Sequence, residues 1–79
     1  MPQVTVYTTP SCPWCRAVKE FLEKHNIAYA EKDVSHDFAA REEMVSKSGE
    51  LAVPVVDIGG EIVFGYNEQI MRTLLKIKF

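Results

Sequence analysis

The chain has 79 residues, enough for one compact domain, and 47% of them are hydrophobic, so a protein core can form. Its formal net charge of −2 argues against nucleic acid as a partner, because binding to phosphates needs clustered positive charge. No apolar run reaches the roughly 20 residues that cross a bilayer, and the first residues lack the pattern of a secretory signal. We therefore expect a single soluble, cytoplasmic domain over residues 1–79, without a membrane or nucleic-acid partner.

The first two elements are a strand and a helix. Val4–Thr8 is dense in β-branched and aromatic residues, which predicts a strand. Ser11 or Cys12 then caps a helix that begins at Pro13, where the missing N–H of proline costs nothing. Asn26 favours the left-handed conformation that ends such a helix.

A second strand and a second helix follow. Residues 29–33 predict the strand, and residues 38–48 predict the helix. A cap for this helix lies within residues 35–37, and Gly49 is placed to end it.

A β-hairpin is predicted next. Two apolar stretches, 53–58 and 61–64, flank the pair Gly59-Gly60, which is typical of a tight turn between antiparallel strands. Gly65 ends the hairpin.

The last predicted element is a helix capped by Asn67 or a neighbour, in which Ile70, Leu74 and Ile77 share one face. The complete order is βαβαββα. A parallel βαβ unit followed by a hairpin predicts a four-stranded mixed sheet with helices on both faces, an α/β fold. The pattern alone does not give the order of the strands.

The two cysteines of the chain, Cys12 and Cys15, lie between the first strand and the first helix. A thiol at the first turn of a helix faces free backbone N–H groups and the positive end of the helix dipole. Both favour the thiolate, which is the nucleophile in disulfide exchange. Cys15 lies within one turn of Cys12 and can close a disulfide onto it. A C-x-x-C pair beside a βαβ pattern is typical of a thioredoxin-like redox site.

A metal site is the alternative use of this cysteine pair. Zinc takes four ligands, usually two such pairs or two cysteines with two histidines three to five residues apart. His25 and His36 have ten residues between them, and we expect both at the surface. The sequence therefore favours redox chemistry and predicts no metal ligands.

With these features in place, the chain resembles the glutaredoxins over nearly its whole length. The matching stretches, in chain order, are Cys12-Pro13-Trp14-Cys15, Arg41-Glu42-Glu43-Met44, Val53-Pro54 and Gly65-Tyr66. The resemblance implies the minimal thioredoxin fold, with strand order 2-1-3-4 and the last two strands antiparallel. Thioredoxins themselves match less well, because they carry Cys-Gly-Pro-Cys and a buried aspartate where this chain has Val6.

The resemblance implies a thiol–disulfide oxidoreductase whose catalytic residues are Cys12 and Cys15. Cys12 would attack a substrate disulfide, and Cys15 would then resolve the mixed disulfide. Pro13 and Trp14 complete the redox motif, with Trp14 either at an exposed rim or packed on the loop after the first strand. No bound cofactor is expected.

A groove for the substrate or for glutathione is also implied. Its residues would be Val53, Pro54, Gly65, Tyr66, Asn67 and Glu68. Pro54 would follow a cis peptide bond that faces the cysteines, and the Val53 backbone would pair with an extended substrate. Tyr7 and Phe64 are expected to pack in the core or near this groove.

Two departures from the family pattern leave the electron donor open. Glutaredoxins often carry a glycine at the place of Phe64 and a basic residue at the place of Thr9. Both changes resemble the redoxins that serve ribonucleotide reductase and receive electrons from thioredoxin reductase. Disulfide-containing proteins are the expected substrates, glutathione or thioredoxin reductase the expected donor, and the chain is expected to be a monomer. A glutathione-bridged iron–sulfur cluster is less favoured, because Pro13 resembles the versions of the motif less inclined to hold one.

Overall fold

The computed structural model describes residues 3–76 of the chain. Its elements follow the predicted order. They are β1 (Val4–Thr8), α1 (Pro13–Lys24), β2 (Ala30–Asp33), α2 (Phe38–Ser48), β3 (Val55–Ile58), β4 (Glu61–Phe64) and α3 (Glu68–Leu75). Strand β2 begins one residue later than predicted, and β3 begins two residues later. Strand β3 starts after Pro54 because proline has no N–H to contribute to the ladder.

The four strands form one sheet in the order β2-β1-β3-β4, which confirms the order implied by the family resemblance. Strand β1 runs parallel to β2 and antiparallel to β3, and β3 runs antiparallel to β4. In this register Tyr7 lies opposite Val55, so the end of β1 meets the beginning of β3. The loop after β1 and the loop before β3 therefore lie side by side at one end of the two central strands.

Helices cover both faces of the sheet, because side chains of successive strand residues point to opposite faces. On one face, Val6 and Val56 pack with Val18 and Leu22 of α1 and with Met71 of α3. On the other face, Tyr7 and Val55 pack with Ala40 and Met44 of α2. All but Ala40 are fully inaccessible to solvent, and Ala40 is 3% exposed. None of the helices within residues 3–76 is long and apolar enough to cross a membrane.

Ion pairs supplement the small apolar face of α2, in which only Ala40 and Met44 are buried. Glu43 binds Lys32 of β2, and Lys47 binds Asp57 of β3 with an N–O distance of 2.7 Å. Burial opposes ionisation of Asp57, but the hydrogen bonds from Lys47 and from the Gly60 amide outweigh it and lower the pKa of this carboxyl. The helix is thus fixed to the strands on both sides of β1.

The helix ends follow the capping residues of the sequence. The sulfur of Cys12, rather than Ser11, caps α1, and Asp37 and Asn67 accept backbone N–H bonds at the beginnings of α2 and α3. Gly49 ends α2 with a φ of 77°, in the left-handed region that favours glycine.

The buried face of α3 is displaced by one residue from the predicted face. Met71 and Leu75 are buried, Leu74 packs against the same cluster, and Ile70 is 45% exposed. Ile77 lies outside the described residues. Because residues 70 and 71 are both apolar, the helix has two possible apolar faces. Periodicity alone therefore does not predict which of them packs on the sheet.

The two neighbouring residues Ile70 and Met71 give a matched stability test. We expect Met71→Ala to lower the free energy of unfolding by about 2–5 kcal/mol, because it leaves a cavity among fully buried side chains. Ile70→Ala should change it by no more than about 0.5 kcal/mol, as is usual for exposed positions. Urea unfolding followed by circular dichroism measures both. Equal losses for the two variants would contradict the assignment of the buried face.

Candidate active site

The antiparallel pairing of β1 with β3 brings the cysteine motif beside Val53 and Pro54. The chain leaving β1 turns at once, with the Cys12 amide donating to the Thr9 carbonyl at 3.3 Å, and enters α1. The Val53–Pro54 peptide bond is cis. The Gly65 amide donates to the Pro54 carbonyl at 2.9 Å, which holds the loop before α3 against the loop before β3.

Cys12 lies at the N-cap of α1 and is partly accessible to solvent. Its sulfur accepts a hydrogen bond from the backbone N–H of Cys15 at 3.2 Å. The first turn of α1 contains no acidic residue that would oppose a negative sulfur. An N-cap sulfur that receives an amide N–H and faces the positive end of the dipole is placed to carry negative charge.

Cys15 is buried, with 1% of its surface exposed, and both cysteines are free thiols in this structure. Burial, followed by its hydrogen bond to Cys12, raises the pKa of the Cys15 thiol to about 12. The backbone of Thr9 and the charge of Lys19 offset this only in part. The two sulfurs therefore differ chemically. The Cys12 sulfur is partly exposed to solvent at a helix end, whereas the Cys15 sulfur belongs to a buried thiol one turn further along the helix.

Lys19 is held near Cys15 by the sheet. Its ammonium binds the Glu31 carboxylate of β2 at 2.8 Å, and the hydroxyl of Thr8 donates to the same oxygen at 3.0 Å. The hydrogen bond from Lys19 is the main reason that the pKa of Glu31 lies below its usual value. Lys19 thus adds a positive charge on the Cys15 side of α1, in a position fixed by another element.

Trp14 lies at the exposed rim of the motif, with 60% of its surface accessible. Its ring stacks on that of Tyr66, with centroids 6.1 Å apart and planes inclined by 22°. Tyr66 in turn packs edge-on against Phe21 of the core, at 6.2 Å. Trp14 and Tyr66 therefore form one continuous aromatic surface next to the cysteines, with its base anchored in the core.

Val53 and Pro54 lie in the loop before β3, next to the loop that leads from β1 to Cys12. Val53 is half-buried and Pro54 is buried. Within residues 3–76, the backbone N–H and C=O of Val53 have no hydrogen-bond partner. An extended chain laid beside Val53 can pair with these groups as an added strand would.

Two polar groups at the beginning of α3 are already engaged within the chain. The side chain of Asn67 accepts the Ile70 N–H at 3.1 Å, and the Glu68 carboxylate binds the Arg72 guanidinium at 2.8 Å. An amine of a ligand would have to compete with Arg72 for Glu68. Gly65 has a φ of 68°, a conformation that glycine adopts freely and that positions the turn before the helix.

Two expectations from the sequence were wrong. Phe64 was expected to pack, yet 51% of its surface is exposed at the end of β4. Phe64 lies opposite Val55, on the face of the sheet that α2 covers, but α2 packs on β1 and β2 rather than on the edge strand β4. His25 was expected at the surface, yet it is half-buried and its ring packs on Phe21 at 4.6 Å. His36 is exposed, as expected.

Two arginines near the cysteines were not identified as site residues from the sequence. Arg16 lies beside Cys12, and Arg41 of α2 lies in a groove with Thr9 and Val53. The spacing of four residues from Cys12 to Arg16 was the available signal for the first, since it places the two on one side of a helix. Nothing local connects Arg41 to the motif. The part of the chain that the structure describes contains no group of three or more His, Cys, Asp or Glu side chains that could hold a metal ion.

Both the sequence and the structure of this chain are similar to those of glutaredoxins. The family model described as Glutaredoxin matches residues 4–63. A glutaredoxin-like 8.6 kDa protein in the rubredoxin operon of Clostridium pasteurianum is 40% identical over 92% of this chain and 97% of its own length. Glutaredoxin 3 of Escherichia coli K12 is 31% identical over 86% of this chain and 82% of its own.

Two solved structures are also similar to this chain. A crystal structure of a mutant of the thioredoxin-like protein BC3987 superimposes with a TM-score of 0.91 and 41% identity, covering 99% of this chain and all of that one. The glutaredoxin grx-1 of Archaeoglobus fulgidus has a TM-score of 0.84 and 30% identity, covering 96% of this chain and 88% of that one.

The contrast between the two thiols predicts different alkylation behaviour. In a Cys12→Ser variant, the rate at which iodoacetamide modifies Cys15 should be slow at pH 7 and should still be rising above about pH 8.5, the pKa of an ordinary thiol. Burial, the largest cause of the raised pKa of Cys15, remains in this variant, although the contribution of Cys12 is lost. In a Cys15→Ser variant, Cys12 should react faster at pH 7, because it is accessible. Mass spectrometry of timed samples gives both rates.

Unfolding the same variants in urea is the control for this measurement. Both cysteines should then react at similar rates, because neither is buried and each has the ordinary pKa of about 8.5. A plateau in the folded-state rate of Cys15 at the same pH as in the unfolded chain would contradict a raised pKa of the buried thiol.

Proposed function

The chain belongs to the glutaredoxin family, and we propose that it reduces protein disulfides or glutathione mixed disulfides by cycling Cys12 and Cys15 between dithiol and disulfide. A redox role of the glutaredoxin and thioredoxin-like type is common to the family. The observation that carries the finer proposal is the pair of unlike sulfurs: Cys12 accessible at the N-cap, and Cys15 buried one turn behind it.

The first step is nucleophilic attack by Cys12. Its thiolate attacks one sulfur of the substrate disulfide, a bond forms between the Cys12 sulfur and that sulfur, and the substrate S–S bond breaks. The departing substrate sulfur leaves as a thiolate and takes up a proton. The amide of Cys15, 3.2 Å from the Cys12 sulfur, supports the negative charge before the attack.

The second step resolves the mixed disulfide. The Cys15 thiol loses its proton and attacks the Cys12 sulfur, so the Cys12–Cys15 disulfide forms and the second substrate thiolate leaves. The substrate gains two electrons and the protein loses two, which a thiol donor must return. Burial is the main cause of the raised pKa of the Cys15 thiol, and the hydrogen bond and charge of Cys12 raise it further. Once Cys12 is part of a neutral disulfide, the contribution of its charge is lost, and the positive charge of Lys19 favours ionisation of Cys15.

The residues around the cysteines would orient the substrate disulfide. A substrate strand beside Val53 finds an unpaired N–H and C=O, and the Trp14–Tyr66 surface next to the cysteines offers apolar contact. These contacts hold the disulfide in line with Cys12, and their alignment lowers the entropic cost of the exchange.

Serine substitutions test the roles of the two cysteines. Cys12→Ser should reduce the rate of disulfide reduction to the uncatalysed background, because the attacking sulfur is absent. Cys15→Ser should still attack but leave a mixed disulfide that accumulates and appears as a mass increase equal to one substrate chain. Full activity in Cys12→Ser would overturn the assignment of the nucleophile.

A dedicated electron carrier, reduced by thioredoxin reductase, is the second candidate. It is favoured by the uncharged Thr9 in the groove and by the engagement of Glu68 with Arg72, since both reduce the contacts available to glutathione. In this case the domain would deliver electrons to one partner enzyme and would bind glutathione weakly.

A donor comparison separates the two candidates. One disulfide substrate is reduced by the protein with either glutathione and its reductase or thioredoxin reductase and NADPH. We expect thioredoxin reductase to give the larger kcat/KM if the contacts to Thr9 and Glu68 decide the preference. A Thr9→Lys variant should then gain activity with glutathione, and a faster wild-type reaction with glutathione would support the general reductase.

A further inference from the structure

Three polar side chains, Thr8, Lys19 and Glu31, meet between α1 and the sheet. Val6 packs with α1, and Glu31 is its partner in the parallel register of β1 and β2, so Glu31 lies on the face of the sheet that α1 covers. One carboxylate oxygen of Glu31 accepts a hydrogen bond from the Thr8 hydroxyl at 3.0 Å and another from the Lys19 ammonium at 2.8 Å. Residues of β1, β2 and α1 are therefore joined at a single oxygen atom.

The Glu31 carboxylate is held in place by Thr8. Among residues 3–76, Thr8 is the buried polar residue, with 2% of its surface exposed. A buried hydroxyl without a partner is unfavourable, so its bond to Glu31 is retained. The hydrogen bond from Lys19 is the largest cause of the lowered pKa of Glu31, and burial and the charge of Asp33 oppose it without reversing it. The carboxylate is therefore charged at neutral pH.

Glu31 in turn holds the Lys19 ammonium on the side of α1 that contains Cys15. Cys15 and Lys19 are four positions apart and share one side of the helix. The charge of Lys19 lowers the pKa of the Cys15 thiol, against the larger effect of burial. A lysine side chain is flexible and strongly hydrated, so without a partner it would extend into solvent. Bound to Glu31, the side chain of Lys19 is only 30% exposed.

The position of Lys19 matters for one of the two chemical steps. Attack by Cys12 uses a sulfur at the helix end that the Cys15 amide already stabilises. Resolution instead requires the buried Cys15 thiol to ionise. Cys12 and Lys19 are the two titratable side chains that act most strongly on this thiol, and Cys12 is uncharged once it is part of a mixed disulfide. The charge of Lys19 then remains to favour the Cys15 thiolate.

We propose that Glu31 is a positioning residue for resolution, which it assists by holding Lys19 beside Cys15. The Cys15 thiol loses its proton to solvent and attacks the Cys12 sulfur. The Cys12–Cys15 bond forms, the bond between Cys12 and the substrate sulfur breaks, and the substrate leaves as a thiolate that takes up a proton. The inference rests on the proposed function and adds a residue to its second step. Glu31 acts through Lys19 and not on the reacting sulfurs.

Stopped-flow mixing with a chromogenic disulfide separates the two steps. The pre-reduced protein is mixed with an equimolar amount of the symmetric disulfide of nitrothiobenzoate, whose thiolate is coloured. Attack by Cys12 releases one thiolate, and resolution by Cys15 releases the second. We expect Lys19→Gln and Glu31→Gln to slow the second release about three- to tenfold at pH 7, as a rise of about 0.5–1 in the pKa of Cys15 would do. The first release should keep the wild-type rate.

The pH profile distinguishes this effect from a loss of folding. In both variants the rise of the second rate with pH should be displaced to higher pH, because less of the Cys15 thiol is ionised at a given pH. Lys19→Arg keeps the charge and can bind Glu31, so it should retain the wild-type profile.

The two glutamine variants change the local charge in opposite directions. Lys19→Gln removes a positive charge and Glu31→Gln a negative one, so an effect of Glu31 through its charge alone would make the second release faster in Glu31→Gln. A positioning role requires both variants to be slower. It also requires the double variant to be no slower than Lys19→Gln, because Glu31 then has nothing left to position.

Lys24→Gln and Glu61→Gln are the matched controls. They remove the same charges from exposed positions at the end of α1 and the beginning of β4. Both should show the wild-type rates for the two releases. Thermal unfolding followed by circular dichroism verifies that every variant is folded at the temperature of the experiment.

Failure of the proposed function and failure of this inference give different results. If the wild-type protein releases neither thiolate, or only the first, the proposed function fails at attack or at resolution, and the role of Glu31 fails with it. If both are released but Glu31→Gln is unchanged, is faster, or slows the two releases equally, the oxidoreductase remains and the positioning role is overturned. An unchanged second release in Lys19→Gln would also overturn it.

Discussion

The structure depends above all on the antiparallel pairing of the two central strands, β1 and β3, in which every residue except Thr5 and Asp57 is buried. Their register sets Tyr7 opposite Val55, and from that one alignment the loop that ends in Cys12 and the loop that contains Val53 must meet. The helices then add to this arrangement: α1 and α3 cover one face and α2 the other. A shift of one residue would turn the buried side chains of β3 to the wrong face, so the core that stabilises the sheet also fixes the geometry of the site.

The two cysteines owe their difference to the environment of a single helical turn. Both are thiols three residues apart, yet one faces solvent and the amide groups at a helix end, while the other is enclosed by the core. Neither condition requires a dedicated catalytic base or a metal. The helix dipole, one backbone N–H and the desolvation of a neighbour produce the difference between the two sulfurs on which the proposed roles of attack and resolution depend.

Local patterns in the sequence predicted the element order and placed each helix cap to within a few residues, because both depend on residues close in the chain. The structure then chose Cys12 over Ser11, Asp37 within residues 35–37, and Asn67 over its neighbours. The strand order followed from the family resemblance and not from periodicity. What could not be predicted depends on tertiary packing. The sheet decides whether Ile70 or Met71 is buried. Phe64 is exposed because α2 packs on β1 and β2 rather than on β4, and Arg41 meets Thr9 because α2 folds against the loop after β1.

The use of a sulfur as the cap of α1 links the stability of this helix to the redox state of the protein. When Cys12 and Cys15 form a disulfide, the sulfur can no longer carry the negative charge that the amide of Cys15 and the dipole favour. The cap is therefore strongest in the reduced protein, and by thermodynamic linkage whatever free energy it contributes there favours the dithiol over the disulfide. The hydrogen bond to the Cys12 sulfur stabilises the reduced protein, and this stabilisation makes the protein a weaker electron donor. The same contact that prepares Cys12 for attack therefore limits how strong a reductant this helix end can be.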